Sequence, residues 1–183
     1  MELFEAIHCR ASYRKPFRDA PVGKEQLEQI VEAGILAPSG YNDQTTSFVV
    51  ITDPTLRAEV AGLTGNGEAV RTAQAIIVVI MDPRTGEGRD FQFGVENYAA
   101  ATENMLLAIT ALGLASVWID GALRRDDVAR RIGRLLNVPA ELEVRVILPV
   151  GVPAEEPRQA AKKSLAERAW FNGYGAGATD PGR

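Results

Sequence analysis

Ala75-Ile76-Ile77-Val78-Val79-Ile80-Met81 is an unbroken run of seven apolar residues. It is apolar on both alternations, so it reads as a central strand covered on both faces. Asp82-Pro83 ends it, since proline has no amide hydrogen for a ladder. Outward from this strand, residues 144–150 crowd Val, Ile and Leu together and predict a second strand. Residues 114–119 predict a further buried strand, and residues 48–51 a short β-prone run.

Helical periods fill the intervals. Within residues 24–36, Leu27, Ile30 and Val31 recur at i, i+3, i+4, as a half-buried helix requires, and Pro38, Ser39 and Gly40 stop it. Residues 2–9 predict a short first helix with Leu3, Phe4 and Ile7 on one face. Asp53-Pro54 reads as an N-cap followed by proline at the first helical position. Residues 126–136 read as a helix capped by Asp126, and Ser164-x-x-Glu167 as the cap of a short one. Residues 97–112 are apolar nearly all round. A domain of this size has little room to wrap such a helix, so it predicts subunit association. Strands alternating with helices leave α+β and α/β sandwiches open, with helices on both faces.

A length of 183 residues predicts one domain, over residues 1–172, followed by a frayed tail over 173–183. The one Cys excludes an internal disulfide and makes a reducing, cytoplasmic setting the expectation; no signal-peptide pattern opens the chain. The one His excludes metal sites built on several histidines, and no metal is expected. A net charge of -4 argues against a binder of nucleic-acid backbones. The strongly apolar stretches are too short to span a membrane.

Several motifs carry little. Ser12-x-x-Lys15 lacks the second residue pair that such an enzyme nucleophile needs, and Pro16 follows at once. Gly62-x-x-Gly65-x-Gly67 follows no strand and reads as a loop. Cys9 beside His8 reads as a buried, inert thiol, because neighbours on a helix point about 100° apart.

Two clusters carry more. Arg10-Ala11-Ser12-Tyr13-Arg14 gathers two guanidinium groups and a hydroxyl, the donors that match phosphate oxygens; at helical spacing Arg10 and Arg14 would share a face. Ala37-Pro38-Ser39-Gly40-Tyr41-Asn42-Asp43-Gln44 sets hydroxyl and amide groups on a loop after a helix, and amides can read the edge of a heterocycle.

Together, in this order, the clusters resemble the nitroreductase family of FMN-dependent oxidoreductases. The family opens with Arg-x-Ser-x-Arg/Lys, then has a helix ending in Ala-Pro-Ser-Gly-x-Asn-x-Gln, then a strand. Residues 103–108 and 112–116 also resemble its central helix and the strand after it, so the likeness spans roughly residues 2–170.

The resemblance implies an α+β fold: a three-layer sandwich whose central sheet is mixed but mostly antiparallel, in an intertwined homodimer with FMN at the subunit interface. It implies a ping-pong cycle in which NAD(P)H gives hydride to flavin N5 and a small electron-poor acceptor, a nitroaromatic or quinone, then takes the electrons. Specialised relatives share the fold: reductive dehalogenases, enal or semialdehyde reductases and flavin-destroying enzymes. A flavin-binding protein without turnover is the reading from another class.

By resemblance, Arg10 and Ser12 hold FMN phosphate and ribityl oxygens, and Arg14 sits near N1 and O2 of the ring. Ser39, Gly40 and Asn42 come from the other subunit, with Gln44 near the site. Asn66 matches a residue that reads the N3/O4 edge. Asp120 and Gly121 form the turn whose amides meet O4 and N5, and Lys162 and Lys163 meet the phosphate. No side chain need be catalytic, because the flavin is the reactive centre; Tyr41 is a weak candidate proton donor. The chain departs from the family in three places. Thr45-Thr46 replaces Pro-Trp, the basic clamp is reduced to Lys162-Lys163 with Ala160 where a base is common, and a helical insertion of the longer members is absent.

Overall fold

The computed structural model describes residues 1–65, 67–84 and 92–175. Its strands are β1 (Thr46–Ile51), β2 (Ala75–Met81) and β3 (Glu143–Val150). Its helices are α1 (Leu3–Cys9), α2 (Lys24–Ile35), α3 (Pro54–Leu63), α4 (Glu68–Thr72), α5 (Gly94–Ala111) and α6 (Val128–Leu135). The fold is α+β.

Every residue of β2 is buried, as a strand apolar on both alternations must be. It lies between β1 and β3 and pairs antiparallel with both. Ile76, Val78 and Ile80 join a cluster with Val60 of α3, Val70 of α4 and Ile132 of α6. Ile77 and Val79 join another with Leu27 and Ile30 of α2 and Met105 and Ile109 of α5. The pairing of β2 with β3 slips between Val79 and Ile80, whose partners are Val146 and Val144, so Arg145 is the extra residue of a bulge. That frees its side chain to reach Glu143 and the ring of Tyr98.

Several expectations are met. Asp53 caps α3, its Oδ1 accepting from the Leu56 amide at 2.9 Å with Pro54 at the first turn. Glu167 closes a capping box with Ser164 ahead of a short 3-10 turn. None of the described helices is long and apolar enough to cross a membrane.

Others need correcting. Residues 114–119 make isolated bridges rather than a strand: Ala115 with Gly151 and Ile119 with Ile147, antiparallel, and Ser12 with Ser116, parallel. The two antiparallel bridges share one register, which sets Val117 opposite Pro149. Proline has no amide hydrogen to give there, and the ladder breaks. Helix α6 starts later than expected, because Asp126 and Asp127 are both left-handed (φ 47° and 58°). Its N-cap is Asp127 rather than Asp126, and that carboxylate pairs with Arg130 and Arg134 instead of capping. Cys9 is exposed, not buried, since Ala6 is the buried residue of α1. The short helix α4 has no counterpart among the expected elements.

Candidate functional site

The chain leaves helical geometry at Arg10, the C-cap of α1. From there it runs extended beside residue 116, with the Tyr13 amide donating to the Ser116 carbonyl at 2.9 Å. Extended backbone alternates its faces. Ala11 and Tyr13 are therefore buried, while Ser12 and Arg14 both face outward. Arg10 and Arg14 thus share a side through a period of two, and not through the helical spacing expected. The Tyr13 hydroxyl anchors the segment: it donates to the Pro16 carbonyl at 2.7 Å and accepts from the Ala154 amide at 2.9 Å. The Arg10 guanidinium meets Glu103 of α5 at 3.3 Å, and that of Arg14 touches its own Ser12 carbonyl at 3.4 Å.

The C-terminal segment is stitched to the same place. The Gln159 amide donates to the carbonyls of Arg10 at 3.1 Å and Ile7 at 3.3 Å. The chain then continues to Lys162 and Lys163, both exposed. The bridged residues 115–119 also run from beside Ser12 to the turn at Asp120 and Gly121. There Arg124 takes the Asp120 carboxylate at 2.8 Å, and the Asp120 carbonyl accepts from the Leu123 amide at 3.0 Å. A Cβ on Gly121 would meet nothing within 4 Å, so the chain's own packing does not demand glycine there.

The 39–44 loop is built differently. Tyr41, Asn42 and Gln44 all hold positive φ (54°, 57° and 51°). Inside the loop, the Asn42 amide donates to the Ser39 carbonyl and the Gln44 amide to Ser39 Oγ, each at 3.0 Å. Gly40 is obligatory, because a Cβ would come within 2.4 Å of the Phe93 ring. Its amide donates to Oδ1 of buried Asn97 at 2.8 Å, and Asn97 Nδ2 donates to Thr45 Oγ1 at 3.0 Å. Tyr41 is exposed and lies against Phe93 at 5.8 Å between ring centroids.

So Arg10, Ser12 and Arg14 stand together, with Lys162, Lys163, Asp120 and Gly121 on the segments bound to theirs. Ser39, Gly40 and Asn42 form a second group. Asn66 lies outside the described residues. Three residues that hold these groups were not singled out from the sequence. Asn97 gave a signal, a polar side chain in a helix apolar nearly all round; Tyr13 and Gln159 gave none.

A cavity of about 790 Å³ opens elsewhere, between α6 and the start of β3. Its arginines are already paired, Arg124 with Asp120, Arg134 with Asp127 and Arg145 with Glu143. Burial works against the Arg145 charge, but bonds to Tyr98 and Glu143 outweigh it and hold its pKa above the ordinary value. Asp127, Glu141 and Glu143 line the cavity beside these arginines, and that many carboxylates make it a poor receptor for a phosphate.

A model of the nitroreductase family matches residues 7–65 and 62–152. An NADH dehydrogenase/NAD(P)H nitroreductase of Archaeoglobus fulgidus is 32% identical over 155 residues, covering 85% of this chain and 87% of that protein. Among solved structures, a nitroreductase of Desulfovibrio desulfuricans in complex with FMN is 32% identical with a TM-score of 0.79, over 95% of this chain and 98% of that one. An FMN-dependent nitroreductase of Clostridium difficile is 28% identical, also with a TM-score of 0.79, over 93% of this chain and 99% of that one. An outward row of arginines and a hydroxyl, a glycine-dependent amide loop and these likenesses across most of the chain agree: the chain belongs to the nitroreductase family.

Proposed function

We propose that the protein is an FMN-dependent NAD(P)H oxidoreductase that reduces a small electron-poor acceptor, a nitroaromatic or a quinone, by a ping-pong cycle. The observation that carries the reading is the outward row of Arg10, Ser12 and Arg14, fixed by backbone bonds on one side and by Gln159 on the other. Donors held this way suit a dianionic phosphate with a polyol chain, and FMN presents both.

The residues fit the cofactor as follows. Arg10 and Ser12 would bind phosphate and ribityl oxygens, with Lys162 and Lys163 adding charge. Arg14 would place a permanent cation at the pyrimidine edge of the ring, where it stabilises negative charge that builds on reduction. Asp120 and Gly121 would offer backbone amides, since the Asp120 carboxylate is engaged. FMN, when bound, supplies the redox chemistry, and no side chain need act as nucleophile or strong base.

The reading includes a homodimer with a three-layer sandwich in each subunit, in which Ser39, Gly40 and Asn42 serve the partner's flavin. Support comes from uncovered apolar surface. Leu3, Phe4 and Ile7 on α1 are 62%, 73% and 41% exposed, and Ile35 and Leu36 at the end of α2 are 63% and 74% exposed. A second copy would cover such faces.

The test is spectroscopic. Purified protein should carry flavin absorbance that bleaches on adding NADH or NADPH and returns with an acceptor. A colourless protein that takes up no FMN would overturn the reading, and a monomer by light scattering would overturn the dimer.

A further inference from the structure

We propose that Asn97 is a positioning residue, holding the 39–44 loop in the one shape that can meet the flavin; this rests on the FMN reading above. The loop needs a holder. Tyr41 and Gln44 sit in the left-handed region, where such side chains are strained, on either side of left-handed Asn42, and such backbone persists only when its surroundings over-determine it. The loop's own bonds join Ser39 to Asn42 and Gln44, and the Tyr41 ring rests on Phe93, but none of these takes up the Gly40 amide.

Asn97 attaches the loop at both ends. Oδ1 accepts from the Gly40 amide at 2.8 Å, and Nδ2 donates to Thr45 Oγ1 at 3.0 Å. Asn97 is 5% exposed and Thr45 6%, so water does not compete for either bond. Asn97 stands in the first turns of α5, whose Asn104 is bonded in turn to the Ala33 carbonyl of α2, so the holder is itself fixed. The arrangement uses a residue where this chain departs from its family's pattern. Proline at position 45 would leave the Asn97 amide without a hydroxyl partner, whereas Thr45 supplies one.

Chemistry sets the variants. Asn97→Leu keeps the shape and removes both bonds. Asn97→Asp keeps the acceptor for Gly40, and the Thr45 hydroxyl can rotate to donate to the new carboxylate. Ile109→Val, in the core farther along α5, is the control for destabilisation alone. Each protein is stripped of flavin, titrated with FMN by fluorescence, and followed by hydrogen exchange of the 39–44 amides. Asn97→Leu should weaken FMN binding about tenfold or more and speed exchange across the loop, as expected for a lost buried polar pair. Asn97→Asp should recover most of both, and Ile109→Val should change neither. Unchanged exchange in Asn97→Leu, or faster exchange with wild-type affinity, overturns the proposal. Wild-type protein that takes up no FMN overturns the functional reading instead, and exchange alone then decides whether Asn97 sets the loop.

Discussion

The 10–14 segment and the 39–44 loop both carry candidate flavin contacts, yet they are held by opposite means. In the first, main-chain bonds to residue 116 and the buried Tyr13 fix the backbone, and the functional side chains project from it by simple alternation. Almost any side chain could stand at positions 12 and 14 without disturbing the fold. In the second, the backbone itself is unusual, and glycine, a buried amide and an aromatic wall hold it. Charge and shape are thus supplied by separate pieces of chain. The first piece should tolerate substitution structurally and fail functionally, while the second should fail in both ways together.

The largest effect tests the first half of that contrast. Replacing both Arg10 and Arg14 with Ala should weaken FMN binding by about 100-fold or more, since bonds to charged groups are worth about 1.5–3 kcal/mol each. Thermal stability should barely move. The Arg10–Glu103 pair is partly exposed, and such pairs contribute about 1 kcal/mol or less. Fluorescence titration beside a melting curve reads both, and a large loss of stability would erase the distinction.

Gly40→Ala tests the other half. The new methyl would lie 2.4 Å from the Phe93 ring, so ring and loop must part. Stability should fall by about 1–3 kcal/mol, the usual cost of overpacking, and FMN affinity should fall with it. Gly121→Ala is the counterpart, because open space surrounds that Cβ. Its effect on urea unfolding should stay within about 0.5 kcal/mol.

The same contrast explains what the sequence disclosed. The central strand was plain because both alternations of residues 75–81 are apolar, and α2 because its apolar period is helical. The arginines and hydroxyl of residues 10–14 are plain as chemistry, but their spacing also suits a helical face, and only the end of the helix at Arg10 turns it into a period of two. The break in residues 114–119 was hidden because its cause, Pro149, lies on β3. The left-handed start of α6 was hidden because aspartates at a helix start ordinarily mean a cap. Asn97 was hidden in a further way: its partners Gly40 and Thr45 lie 57 and 52 residues away, and no local pattern records such a bond. Charge at the site could be seen residue by residue, but its shape required the fold.

Gln159→Ala should have a smaller effect, because it loosens a support of the charged half without touching a cation. Its amide binds the Arg10 and Ile7 carbonyls near the surface. Losing bonds of about 0.5–1.5 kcal/mol each predicts FMN binding roughly 2- to 10-fold weaker. Tryptic cleavage after Lys162 and Lys163 should quicken in the same variant. Unchanged affinity would mean that the C-terminal lysines do not depend on this stitch.

The smallest effect separates the halves by pH. Asp82 sits at the foot of the loop, its amide donating to the Thr45 carbonyl at 2.9 Å. Its carboxyl is held below the ordinary value of 3.8, chiefly by the Arg84 side chain, whose Nη2 lies 2.8 Å from Oδ2. Glu141 also approaches Arg84, at 3.7 Å. A depressed carboxyl pKa adds stability that is complete above the unfolded value and lost as pH falls through the folded one. Asp82 therefore stabilises the loop's foot at neutral pH and ceases to do so in acid, below the usual aspartate range. Arg14 instead meets the Ser12 carbonyl, which has no proton to gain in this range. Asp82→Asn should cost about 0.2–1 kcal/mol at pH 7, as near-surface pairs do, and the cost should vanish in acid. Urea unfolding at several pH values between neutral and about 3 reads the difference, while Arg14→Ala should show a flat one. If the two variants gave parallel curves, the loop's foot would owe nothing to this carboxylate.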